Sequence, residues 1–298
     1  MCVIAAIKLP RDKKTGEPTE DATWCLFKIR DRTYTPNYKI RTITKNSGIS
    51  LFCVDDHTDW TEGIRVSTRG SHNTQLMMVN SALNNSVDKI STSSLNLANG
   101  VIARRIIRDS NIDKAIDEIV NTGFDGCTFL SNGKRCVVVE QSVKPESLKI
   151  LNSDSGYKLT KDDFVQQINE IDSVFEVRTN HSECIPAGYT EDNNVQYESS
   201  TQRRRYIEEY INQNVHDIDD VYAMIRHFDN FDLEEPYNNP IRDFNKINWV
   251  KHKPKIYTTS VFIFYKNSIQ IFLKQSNIRH SSLNVLNNDC FKICVERL

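Results

Sequence analysis

Met1-Cys2-Val3-Ile4-Ala5-Ala6-Ile7-Lys8 sets six small or apolar residues between an initiator Met and a charged Lys. A short run of this kind, rich in β-branched residues, predicts a buried strand. Cys2 is small enough to let an aminopeptidase remove Met1. The expected product carries a thiol and a free α-amine on one residue. An α-amine titrates near pH 8, so it can act as a base toward the neighbouring thiol. Nucleophile and base then arrive together, as in N-terminal Thr enzymes. Because Cys2 follows Met1 directly, no propeptide is expected to need cleavage. Taken alone, a Cys in an apolar run is more often an ordinary buried thiol. The residues downstream shift that balance.

Further strands are predicted over residues 23–30, 38–44, 50–54, 63–68 and 74–80, with a loop across Arg11 to Ala22. Ser110 is placed to cap a helix from about Asn111 to Asn121, stopped by Gly123. Asn132-Gly133 joins two apolar runs as a β-hairpin. Residues 162–171, 201–212 and a segment capped by Asp217 read as helices, with Val174–Arg178 as a short strand between them. A polar connection spans 229–250, and strands return at Tyr257–Tyr265 and Ser268–Leu273. Strands at both ends with helices in the middle fit α+β layers better than βαβ units.

Composition narrows the function classes. The chain has 298 residues, 39% hydrophobic and 26% charged, in the range of globular domains. A net charge of −1 provides no global field for nucleic acid or an anionic membrane. No apolar stretch approaches the ~20 residues that span a bilayer, and the basic residues after Ile7 do not suit a signal peptide. The eight Cys residues contain no C-x-x-C pair and several sit in apolar runs, so a reducing cytoplasm is expected and a zinc site is not.

Four segments carry chemistry. Phe27-Lys28-Ile29-Arg30-Asp31-Arg32 crowds charges onto a strand end, where a carboxylate can hold the Cys2 ammonium and a cation can lower the thiol pKa. Asn80 closes an apolar strand, and a side-chain amide there can donate to a developing oxyanion. Asn180, in Val177-Arg178-Thr179-Asn180-His181, has the same capacity. An N-terminal amine makes His181 unnecessary as a base, which leaves it a substrate or structural contact. Ser200 reads as a helix N-cap, which puts Arg203 in the first turn, against the helix dipole. A residue that breaks a local rule is a candidate for function.

In this order the segments resemble the N-terminal-nucleophile (Ntn) hydrolases of the choloylglycine hydrolase and penicillin acyltransferase group. That group has a leading Met-Cys, an Arg/Asn/Asp cluster about twenty residues on, an E-G-x-N-x-x-G segment before a strand with Asn, a T-N-H or T-N-N strand end, and an S-S-x-x-R segment. Cys2, Asp31, Asn80, Asn180 and Arg203 fall at these positions, and the motifs cover roughly residues 1–210. Two departures stand out. The cluster reads Lys28-Ile29-Arg30-Asp31, so either Lys28 or Arg30 takes the place of the thiolate-facing Arg, with Arg30 favoured. The segment beginning Glu62-Gly63 lacks its Asn.

The resemblance implies a single Ntn-hydrolase domain over residues 1–298. Its fold would be a four-layer αββα sandwich of two antiparallel sheets between helix layers. It implies cleavage of a small-molecule linear amide through a Cys2 thioester, completed by water or by transfer to an amine. In that scheme Asp31 orients the amine, Asn80 and Asn180 hold the oxyanion, Arg203 supports the site, and Lys28 and His181 contact substrate. It calls for no metal or organic cofactor, no nucleic acid and no membrane, and it is compatible with a homo-oligomer. The competing expectation is a catalytically silent Ntn-fold protein that acts as a binding or structural module.

Overall fold

The structure is a computed structural model. It describes residues 2–32, 38–45, 48–55, 61–67, 74–83, 93–108, 111–153, 157, 159–183, 194–229, 257–265, 269–275, 284–288 and 291–297. The strands are β1 (Cys2–Arg11), β2 (Pro18–Arg32), β3 (Tyr38–Lys45), β4 (Gly48–Asp55), β5 (Thr61–Ser67), β6 (Thr74–Ser81), β7 (Gly126–Ser131), β8 (Cys136–Val143), β9 (Phe164–Glu170), β10 (Phe175–Arg178), β11 (Tyr257–Tyr265), β12 (Ile269–Gln275), β13 (Asn284–Asn288) and β14 (Phe291–Arg297). The helices are α1 (Ser93–Arg108), α2 (Ile112–Thr122), α3 (Pro145–Ser153), α4 (Asn194–Asn214) and α5 (Ile218–Asp229). None of the described helices is long and apolar enough to cross a membrane.

The chain is mixed α+β and divides into two compact units, each built on one seven-stranded sheet. Unit 1 comprises Met1–Pro36, Ile171–Thr179 and Val195–Leu298. Its strand order is β10-β1-β2-β11-β12-β14-β13, antiparallel except for the parallel pair β12–β14. The period-2 alternation of a strand sorts β1 cleanly. Val3, Ala5, Ile7 and Leu9 join Phe27 and Ile29 of β2 against Ile207 and Ile211 of α4 and Met224 of α5. Each fully buried Val, Leu, Ile, Phe or Met among them stabilises by about 1.5–3 kcal/mol. Cys2, Ile4 and Ala6 occupy the opposite face. Arg11, buried at the end of β1, donates through Nη1 to the carbonyls of Ile211 (3.1 Å) and Val215 (2.9 Å). It thereby brings a donor to carbonyls at the C-terminal end of α4, where backbone acceptors outnumber helical donors.

Unit 2 comprises Asn37–Glu170 and Asn180–Asn194. Its strands run β3 to β9 in sequence order, all antiparallel. One face, with Phe52, Leu76, Met78, Leu130 and Val139, packs on Ile106 of α1 and Ile119 of α2. Gly63 of β5 lies where a Cβ would meet the Leu51 carbonyl oxygen at 2.2 Å, so the E-G dipeptide has a packing reason. At the other end of α2, Gly123 caps the helix with φ 65°. The Asn-Gly hairpin is present between β7 and β8, where the Asn132 side chain accepts the N–H of Arg135 at 2.8 Å.

Three expectations need correction. Residues 162–171 are not a helix: a 3-10 turn, Lys161–Asp163, leads into β9. The Asp163 carboxylate accepts from Ser147 (2.6 Å), Tyr157 (2.6 Å) and the Thr160 N–H (2.7 Å), closing the turn before β9 pairs with β8. The α2 cap is Asn111, whose Oδ1 accepts the Lys114 N–H at 3.0 Å; Ser110 lies outside the described residues. The helix expected over 201–212 starts at Asn194. The sequence patterns had not indicated α1, α3, β13 or β14. The 229–250 connection lies outside the described residues beyond Asp229.

Candidate active site

In unit 1 the first residue of β1 is Cys2, 5% exposed. Antiparallel register sets it directly opposite Arg30 of β2, and sets Ile4 opposite Lys28. Directly opposed residues point to the same face with Cβ atoms roughly 4.5–5.5 Å apart. Arg30 is therefore the nearer cation to the thiol in register, and Lys28 lies one pair further along the same face. Both side chains are buried, at 2% exposure. Asp31 follows on β2, opposite Thr258 of β11; its side chain lies outside what the structure describes.

Arg203 reaches the same place from α4. Its Nη1 donates to the Cys2 carbonyl at 3.2 Å, and the side chain is 1% exposed. Because α4 begins at Asn194, Ser200 is not an N-cap and Arg203 is not in the first turn. The dipole argument for Arg203 therefore lapses, and its bond to the Cys2 backbone takes its place. Ser200, inside the helix, donates to the Thr179 hydroxyl at 2.8 Å, and Thr179 donates to the Ser200 carbonyl at 3.0 Å. These bonds tie the end of β10 to α4. Arg178, opposite Ile4 on the other flank of β1, is ion-paired with Glu176.

The other expected residues belong to unit 2. Asn80, on β6, falls on the side of Leu76 and Met78, the side packed by helices. Its Nδ2 donates to the Thr61 carbonyl at 3.2 Å, and Arg104 of α1 donates to the Thr61 hydroxyl at 3.2 Å. Asn180 donates to the Ala82 carbonyl, just past the end of β6, at 2.6 Å. His181 Nε2 lies 3.0 Å from Glu183 Oε1, with the ring 6% exposed. Glu140 of β8 fixes this segment, accepting from the Ser182 hydroxyl (3.0 Å) and the Glu183 N–H (3.1 Å).

Sequence inspection assigned no role to Arg178, Arg104 or Glu140. Arg104 and Glu140 meet partners on other segments, up to 43 positions away along the chain, and no local pattern marks such pairs; Arg178 pairs within its own strand. Burial pushes the Cys25 and Cys53 thiols well above the ordinary range, with the Glu62 carboxylate adding to the effect at Cys53. Such thiols stay protonated and inert near neutral pH. Among the described residues, no group of three or more His, Cys, Asp or Glu side chains is placed to share a metal ion. The chain matches no family model, no curated protein and no solved structure.

Proposed function

We propose that this chain is an N-terminal-nucleophile amidohydrolase in which Cys2 attacks a linear amide. The observation that carries the reading is the setting of Cys2: first residue of an interior strand, directly opposite buried Arg30, its carbonyl held by buried Arg203. With Met1 removed, the Cys2 amine takes the thiol proton and the sulfur adds to the amide carbonyl carbon. The tetrahedral intermediate collapses as the ammonium returns the proton to the leaving nitrogen. The C–N bond breaks and a thioester remains on Cys2. Water hydrolyses it, or an amine accepts the acyl group. Arg30 favours the thiolate electrostatically. Arg203 holds the backbone from which thiol and amine both project, which fixes their mutual geometry. The oxyanion roles of Asn80 and Asn180, the orienting role of Asp31 and the substrate contacts of Lys28 and His181 rest on the family resemblance. So does the four-layer αββα arrangement, whose components are two sheets each backed by helices on one face.

The test is intact-mass analysis after exposure to a limiting thiol-directed electrophile. One adduct, mapped to Cys2, is expected. Labelling spread evenly among the cysteines, or none, overturns the assignment. An uncleavable extension before Cys2 converts its amine to an amide and should leave a folded, nearly inactive protein. Full activity in that form would transfer the base role to another group, with His181 first in line.

The low exposure of Cys2 and the anchoring of Asn80 on the helix-packed side favour one second reading, a catalytically silent member that binds or scaffolds. Loss of turnover in Cys2 variants separates the two.

A further inference from the structure

β9 closes one edge of the unit 2 sheet and pairs on one side only, with β8. The N–H and C=O groups on its outer side have no partner among the described residues. Gln166, Gln167 and Ile168 are exposed, Ile168 at 44%. An open row of backbone donors and acceptors is a template for another strand, and proteins normally blunt it with Lys, Pro or a bulge. The opposite edge, β3, follows that rule: its sequence carries Lys39, Arg41 and Lys45 in eight residues. β9 does not. Phe-Val-Gln-Gln-Ile-Asn-Glu contains no cation and no proline over seven residues, and its pairing to β8 runs without a register shift. Its one charge, Glu170, is already paired with Arg135.

We propose that β9 is a homodimer interface, in which two copies of this chain pair β9 to β9 antiparallel about a twofold axis. The partner is a second copy because the strand complements itself. An isologous contact sets each residue against one from the same strand. In β9 that brings uncharged amides and an exposed Ile together with no like charges opposed. The same operation on β3 would bring cations together, which is destabilising for directly opposed residues. Backbone bonds of the new ladder supply affinity, as in other strand-addition complexes. A single strand pair lies at the small end of specific interfaces, so a micromolar dissociation constant is expected.

Sedimentation equilibrium of the full chain at up to about 100 µM should show a reversible monomer–dimer equilibrium. Ile168→Lys and Gln166→Lys should each weaken association roughly tenfold or more, with unchanged melting temperature. Ile43→Lys, at an exposed position of β3, should leave association unchanged. Should the β9 variants fold poorly, hydrogen exchange on the unmodified protein decides, because the amides of β9 must gain protection as concentration rises. A monomer at every concentration overturns the proposal, as does a dimer that ignores both lysines or leaves β9 amides unprotected.

Discussion

The two sheets obey the same alternation and differ in what they bury on the face that helices do not cover. On β1–β2 of unit 1 the buried polar side chains of that face are cations, Lys28 and Arg30, set beside Cys2. On β5 and β8 of unit 2 the buried charged side chains of that face are carboxylates, Glu62 and Glu140. A buried charge is costly unless paired and hydrogen-bonded, so each is held in place by some specific arrangement. For Glu140 that arrangement is the backbone and hydroxyl of the 182–183 segment. For Arg30 it includes a register position opposite the residue proposed as nucleophile. The difference teaches that burial of charge marks a constrained position, while the neighbour decides between scaffold and chemistry.

The strongest way to break the comparison is at Cys2. Cys2→Ala should abolish turnover without loss of fold, since a methyl replaces a small thiol; Cys2→Ser should be severely slowed, because a hydroxyl is harder to deprotonate. Turnover and thermal melts check both, and wild-type rates in Cys2→Ala would end the reading of unit 1 as the nucleophile's side. The next effect concerns unit 2. Asn180→Ala and Asn80→Ala should each lower kcat by ~100 to 1,000-fold if they are oxyanion donors. A change confined to KM makes them binding residues, and unchanged kinetics with a lower melting temperature make Asn80 an anchor for the Thr61 carbonyl.

Arg203 sharpens the contrast in energetic terms. Arg203→Ala removes a buried hydrogen bond to the Cys2 carbonyl, a loss of about 1–3 kcal/mol in denaturant unfolding. As a positioning residue it should also lower kcat more than it raises KM, and Arg203→Lys should recover charge but not the full rate. The smallest effect belongs to Asp163, a polar site to which the proposed mechanism gives no part. Its hydrogen bonds hold the carboxyl well below the ordinary carboxylate range, the Ser147 hydroxyl contributing most. A depressed folded pKa stabilises above the unfolded value, near 4, and that contribution fades as pH falls below it. Asp163→Asn should therefore melt a few degrees lower at pH 7, with the gap to wild type closing in acid.

Much of the framework was legible locally. The apolar run at Cys2–Ile7, the Asn132-Gly133 turn and the Gly123 stop each specify backbone geometry through neighbours within a few positions. The failures have an equally physical cause. Phe164, Val165 and Ile168 suit a helix face as well as a half-buried strand, and pairing with β8 settled the matter. The start of α4 was missed because Ser200 looks like a cap, yet its hydroxyl bonds to Thr179, 21 positions away. Arg203 was picked out for the wrong reason: its proposed conflict with the helix dipole does not exist, and its bond to Cys2 crosses 201 positions.

The residues alone established which groups are on offer: a thiol at the head of an apolar strand, cations on the adjoining strand, amides at strand ends. They established the α+β class as well, because periodicity is a local property of the backbone. Tertiary structure decided which cation stands opposite Cys2, that Arg203 holds the Cys2 carbonyl, and that Asn80 lies on the helix-packed side. Those outcomes depend on strand register and on contacts between distant segments. Register emerges only when whole faces are buried together, since a slip of one residue turns every side chain to the other face.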